Sequence, residues 1–305
     1  MSISGNFRTL ALLASCLATF VPVYVSAAQE PFPCKQCAEW NISQRPVRIY
    51  GNTYYVGVHG LSSILITSPH GDILIDGDIA ESAPKIAANV AALGFRMKDI
   101  KLILNSHVHH DHAGGIAELQ RLSGARVAAS PASAKVLEQG HSGTDDPQYG
   151  TLPPMRPVAH VKVIKDGETL HVGSLALTAH FTPGHTPGGT TWTWQSCERE
   201  RCLNMAYVDS LTAISSPGFH FSNSTTYPNV RRDFEKSFTT VSTLPCDILL
   251  TPHPEVSDLW SRLERRDQSG EADALIDAMA CKRLANLARA NYDKRLADEA
   301  ADAGH

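Results

Sequence analysis

"NSHVHHDHAGG", Asn105–Gly115, packs four histidines and one aspartate into eleven residues. So dense a cluster is a metal cage, a pH switch or a histidine-rich polar loop. The residues before it decide between these. "IKLILNSH" reads as a buried strand that delivers the cluster at its C-terminal end, where open α/β sheets place their ligands. The spacing is H-x-H-x-D-H. Alternate residues of an extended segment share a face, so His107 and His109 grip one ion. Asp111 and His112 lie just beyond and reach a second. Imidazole and carboxylate ligands without thiolate suit zinc or a similar divalent metal. His110 is the variable position and is expected to point away.

Two distant histidines stand in matching contexts. "FTPGHTPGG" places His185 in a Gly/Pro-rich turn after an apolar strand, and "DILLTPHPE" places His253 likewise. Alone, each would read as a hydrogen-bonded turn histidine. With the first motif they complete two sites: His107, His109 and His185 with one position left for water, and Asp111, His112 and His253. An open fourth position marks a catalytic site. His59, His70, His141, His160, His171, His180, His220 and His305 show no such grouping and read as solvated or core residues.

Working outward, short strands precede the cluster: "VRIY", "TYYVGVH", "SSILITS" and "GDILIDGD", punctuated by Gly and Asn. Helices are expected over Ser82–Leu93, with Ser82 as its cap, and over Ile116–Leu122 and Ala132–Gln139. "ARVAAS" is a strand. His141–Pro157 is a long polar loop of the kind that forms a lid or substrate wall. A second strand set follows: "HVKVI", "ETLHVG", "LALTAHFTPGH", "GGTTWTWQS" and "LNMAYVDS". Helix Phe234–Thr243, strand "DILLTPH" and a long helix Glu271–Ala300 close the chain. Strands, helices, strands, helices in two comparable halves predict an α/β fold with two sheets face to face and helices outside.

The chain has 305 residues, 43% hydrophobic and 19% charged, with a formal net charge of −4. That balance gives no reason to expect nucleic acid or an anionic membrane as partner. Arg8, the apolar run Leu10–Val25 and the small residues Ser26–Ala28 read as an export signal cleaved near Ala27, leaving a single domain over 28–305. Pro22 and the shortness of the run argue against a membrane anchor. Leu13–Cys16 looks like a lipid-attachment box, against which the apolar run continues past Cys16. Export leaves six cysteines for an oxidising compartment. Proximity favours Cys197 with Cys202 and Cys34 with Cys37, leaving Cys246 with Cys281. Cys34-Lys35-Gln36-Cys37 has the alternative reading of a redox or zinc CxxC, but lies in a Pro-rich arm without a βαβ unit.

H-x-H-x-D-H, "PGHTPGG" and "TPH" together resemble the metallo-β-lactamase superfamily over nearly all of the mature chain. "YGNTYYVG", "ALGF", "DHAGGIAELQRLSGA", "GHTPGGTTWTW", "YVDSLTAIS" and "DILLTPHP" resemble its third subclass of zinc β-lactamases. The resemblance implies an αβ/βα four-layer sandwich. Other subclasses carry a cysteine ligand near "YVDS". Here Ser210 stands there, so His112 takes that role. Some relatives pair an N-terminal cysteine with one in the first hairpin; His59 occupies that place here, which leaves the partners of Cys34 and Cys37 open.

The resemblance further implies two Zn2+, a small-molecule β-lactam substrate, hydrolysis by a metal-bound hydroxide and a monomeric periplasmic protein conferring antibiotic resistance. Asp111 would ligate metal and orient the nucleophile. Ser210 and Thr212 would bind the substrate carboxylate, and Gln148 would line the site. Asp76, ending "ILID", is expected to brace the metal loop. Among rivals, a serine β-lactamase has only Ser82-Ala83-Pro84-Lys85 in its favour, without S-D-N or K-T-G. A glyoxalase II-like thioesterase or a lactonase of the same superfamily would use Asp209 as a bridging ligand. A non-catalytic metal-binding protein is the third class.

Overall fold

Strands buried on both faces need cover on both, and that requirement shapes this chain. The computed structural model describes residues 1–5 and 34–302. The expected export signal, its cleavage site and Cys16 lie outside the described residues. After the one-turn helix α1 (Cys37–Trp40), strands β1 (Val47–Tyr50), β2 (Thr53–Tyr55), β3 (Ile64–Ile66) and β4 (Asp72–Ile75) form an antiparallel meander. The sheet then turns parallel through β5 (Ile100–Leu104), β6 (Arg126–Ala129) and β7 (Val161–Val163). Parallel pairing needs crossovers, supplied by α2 (Ala83–Ala92), then α3 (His110–Ala113) with α4 (Ile116–Ser123), then α5 (Pro131–Gln139). Ser130 caps α5 by accepting from the Ser133 N–H, with Pro131 in the first turn.

The second sheet runs β8 (Thr169–Val172), β9 (Leu175–Phe181), β10 (Thr190–Glu198), β11 (Arg201–Tyr207) and β12 (Ile248–Leu250), the last pairing parallel to β11. Helices α6 (Val230–Thr243), α7 (Leu259–Gln268) and α8 (Ala280–Asp302) complete it. Alternation sorts the strand residues into layers. Ile64, Ile66, Ile73, Ile75, Leu102 and Leu104 meet Leu177, Trp192, Leu203, Met205 and Tyr207 between the sheets. Leu65, Leu74 and Ile103 face the opposite way, onto α2, α4 and α5. Ala206 and Leu249 face Phe234, Phe238 and Tyr292 of α6 and α8. The result is the expected four-layer sandwich. Among the described residues no helix is long and apolar enough to cross a membrane.

All three expected disulfides form: Cys34–Cys37, Cys197–Cys202 and Cys246–Cys281. Several elements differ from expectation. The final helix starts at Ala280, not Glu271. Residues 271–279 have helix-forming composition, but the Arg262 guanidinium bonds the carbonyls of Ala274 and Leu275, and Leu275 is buried. Tertiary contacts override propensity there. Helix α6 begins four residues early, at Val230, and α7 was not anticipated. Ser82 does not cap α2. Its hydroxyl donates to Asn41 Oδ1 at 2.9 Å, and Lys85 Nζ bonds Asn41 O, which ties both residues of the S-x-x-K to the N-terminal segment.

Candidate metal centre

Topology brings the candidate ligands to one edge. β9 and β11 both run antiparallel to β10, and β12 runs parallel to β11, so the C-terminal ends of β9, β11 and β12 coincide. His185, Asp209 to Thr212, and His253 follow those three ends. The end of β5 joins them through His107, whose Nδ1 lies 2.8 Å from Asp209 Oδ1.

The loop after β5 is clamped from beneath. Asp76 Oδ1 accepts from the Ser106 N–H, and Oδ2 accepts from the Ser106 and Tyr207 hydroxyls, each at 2.7 Å. This is the bracing position expected for Asp76. Burial nevertheless pushes its carboxyl up to about 7. Asp76 and Asp78 both adopt positive φ, 62° and 53°. Such backbone is uncommon for non-glycine residues and clusters at functional sites. Between them Gly77 O stands 2.1 Å from where a Cβ on Gly115 would sit, so only glycine passes there.

Donor atoms of His107, His109 and His185 lie within 4.8 Å of one another, as do those of His107, Asp111 and His112. His253 joins the second group through Asp111, its Nε2 3.4 Å from Oδ2, while His112 Nε2 lies 3.2 Å from the same oxygen. His107 therefore stands between the groups. Each ring of the first group has one nitrogen occupied by protein. His107 Nδ1 faces Asp209, His109 Nε2 lies 3.1 Å from Asp146 Oδ2, and His185 Nδ1 lies 2.8 Å from Thr212 O. These partners fix ring orientation and leave the other nitrogen of His107 and His185 for a ligand bond, while His109 Nδ1 also has Gln148 Nε2 at 3.4 Å.

Charge and burial set the protonation states. Burial holds His107 well below its ordinary value, helped by His112, His109 and His185. Burial likewise takes His112 down to about 4 and His185 to about 3. Burial works against the Asp111 carboxylate, yet His112 and His253 outweigh it and hold the carboxyl well below its usual range. Burial also lowers His253, but Asp111 beside it wins and raises it. Neutral imidazoles at His107, His112 and His185 and an ionised Asp111 carboxylate are the ligand forms a divalent metal requires; His253 gives up a proton when one binds. His107 Nε2 is buried without a hydrogen-bond partner, a costly arrangement unless something binds there. The donor set fits zinc.

The expected substrate groups are placed unevenly. Thr212 turns toward His185, its carbonyl and its hydroxyl 2.8 and 3.2 Å from Nδ1. Gln148 Nε2 stands 3.4 Å from His109 Nδ1, in the long loop. Ser210 follows Asp209 directly. Asp209 is not a bridge between the groups: it sits behind His107, with Oδ2 2.3 Å from the place of a Cβ on Gly189. Asp146 was missed as the partner of His109; it lies in an irregular loop where no spacing signals it. Also missed was Trp40, whose ring lies 5.5 Å from that of His253.

A sequence profile described as the Metallo-beta-lactamase superfamily matches residues 56–197. Among solved structures, the Rm3 metallo-beta-lactamase is 56% identical, with 88% of this chain and 99% of that one covered and a TM-score of 0.85. MEM-A1, a subclass B3 metallo-beta-lactamase isolated from a soil metagenome library, is 52% identical over 86% and 99%, with a TM-score of 0.84. Hydroxyacylglutathione hydrolase from Pseudomonas paraeruginosa is 35% identical over 111 residues, 36% of this chain and 33% of its own. The chain spans about a third of the length of the curated relatives it matches.

Proposed function

This chain belongs to the metallo-β-lactamase superfamily of metal-dependent hydrolases, and on that premise we propose that it is a di-zinc β-lactamase of the third subclass. The observation that carries the reading is the pair of buried donor groups that meet at His107. His107, His109 and His185 would hold one Zn2+, and Asp111, His112 and His253 the other. Bound there, zinc supplies Lewis acidity toward a carbonyl oxygen and brings the pKa of water toward neutrality.

The chain's own residues do the rest. Asp209, Asp146 and the Thr212 carbonyl hold three imidazoles in register. Asp111 keeps a charged carboxylate oxygen at the junction, where it accepts a hydrogen bond from the attacking water and orients it. The Ser210 and Thr212 hydroxyls bind the substrate carboxylate beside the lactam ring. Gln148 forms a wall with the 141–157 loop. The substrates are penicillins, cephalosporins and carbapenems, and turnover confers resistance. Three disulfides support an oxidising location, in keeping with export to the periplasm and processing near Ala27.

The test is purified protein assayed on imipenem, nitrocefin, a lactone and a hydroxyacyl-glutathione thioester, each with and without a chelator. Chelator-sensitive β-lactam turnover is expected. Thioester or lactone turnover without β-lactam turnover would overturn the reading and favour the thioesterase or lactonase alternative.

A further inference from the structure

One sulfur–nitrogen corner plays no part in the proposed reaction. Cys34, Cys37 and His110 bring two sulfurs and a ring nitrogen within 4.8 Å of one another. His110 turns Nε2 toward the sulfurs, 3.7 Å from Cys37 Sγ, with Nδ1 3.9 Å from Asp111 Oδ1. That Nδ1 is buried without a hydrogen-bond partner. The two sulfurs are joined as a disulfide that closes the shortest loop of the three, a separation of 3 against 5 and 35.

That bond is not what positions Cys37. The Gly60 N–H donates to Trp40 O and the His59 N–H to Ile42 O. Asn41 accepts from Ser82. Cys37 and Trp40 pack on Val58, Leu61 and Ile79. Cys37 is therefore held by contacts other than the disulfide, and His110 is held by the loop between His109 and Asp111.

We propose that Cys34, Cys37 and His110 form a redox-gated third metal site, which takes a thiophilic ion of the zinc class once the disulfide is reduced. An external dithiol supplies two electrons and two protons. It becomes a disulfide, and Cys34 and Cys37 become thiols. A divalent ion then displaces both thiol protons and is held by two thiolates and the His110 imidazole, with a fourth position for water. The site is distinct from the two-zinc centre because it alone contributes sulfur. It also touches that centre, since Trp40 packs on both His110 and His253, at 6.2 and 5.5 Å between ring centroids.

The test uses Co2+ on the processed chain, residues 28–305, with Cys197→Ser and Cys202→Ser, which removes the exposed disulfide; Cys246 and Cys281 are buried. After phosphine reduction, mass spectrometry of alkylated peptides verifies that Cys34–Cys37 has opened. Co2+ at the histidine centre gives no sulfur-to-metal charge transfer, whatever that centre catalyses. The proposal expects a thiolate charge-transfer band of one ion per chain on reduction only. It expects the band to vanish with Cys34→Ser plus Cys37→Ser, and the apparent affinity to fall at least tenfold with His110→Ala. Absence of the band in the reduced protein overturns the site. So does its persistence without Cys34 and Cys37, or an affinity unmoved by His110→Ala.

Discussion

The two donor groups that meet at His107 are built differently. In the His107–His109–His185 group every ring is pinned by a protein acceptor on its second nitrogen: Asp209, Asp146 and Thr212 O. In the Asp111–His112–His253 group the three side chains share one carboxylate oxygen. The His253 side chain there is 22% exposed, against 1% for His107 and 3% for His109. Ligands fixed in advance lose less freedom when a metal arrives. The difference teaches that one edge of a single fold carries a preorganised donor group beside a more exposed one.

The harshest way to break this contrast is to remove a ligand from each side. His185→Ala and Asp111→Ala should each lower nitrocefin turnover by about a thousandfold or more with unchanged circular dichroism. Asp111→Ala should keep one tightly held zinc by elemental analysis, and His185→Ala should not. Removing the supports sharpens the contrast. Asp209→Ala should weaken zinc binding roughly 10–100-fold, and Asp146→Ala should act in the same direction through His109; unaltered affinity in a competition titration with a chelating dye would break the contrast. Far from the edge, Cys246→Ser with Cys281→Ser should cost about 3–4 kcal/mol in denaturant unfolding and leave the zinc content intact. Loss of zinc there would tie the more exposed group to the C-terminal helix.

The smallest effect concerns that helix. Glu299 accepts from the Phe221 and Ser222 N–H groups and from Arg295. Burial opposes ionisation, but these donors outweigh it and lower the carboxyl below its ordinary value. A lowered folded-state pKa gives stability that is present above the unfolded value and lost as pH falls through the folded one. Glu299→Gln should therefore cost about 1–2 kcal/mol at neutral pH. The gap from the parent protein should close as pH falls below about 4.

What was readable in the sequence follows its periodic parts. The apolar runs in "SSILITS", "GDILIDGD" and "IKLIL" read as strands, and strand ends followed by His107, His185 and His253 marked one edge. Asp146 lies in irregular backbone where no period operates, and its role appears only when the loop folds onto His109. Asp209, the bridging ligand of the thioesterase or lactonase alternative, turns to His107 instead, a direction the sequence does not carry. Residues 271–279 carry helical composition that the buried Arg262 guanidinium overrules from another element. Ser82 has the residue type of a cap, and Asn41, distant in sequence, takes its hydroxyl instead.

The central claim is tested most directly by returning zinc to metal-free protein while nitrocefin hydrolysis and bound metal are followed together. Two zinc equivalents per chain should bind, the first tightly, and β-lactam turnover should rise to a plateau by the second. Protein that takes up zinc at His107, His109 and His185 yet hydrolyses no β-lactam at any loading would contradict the account.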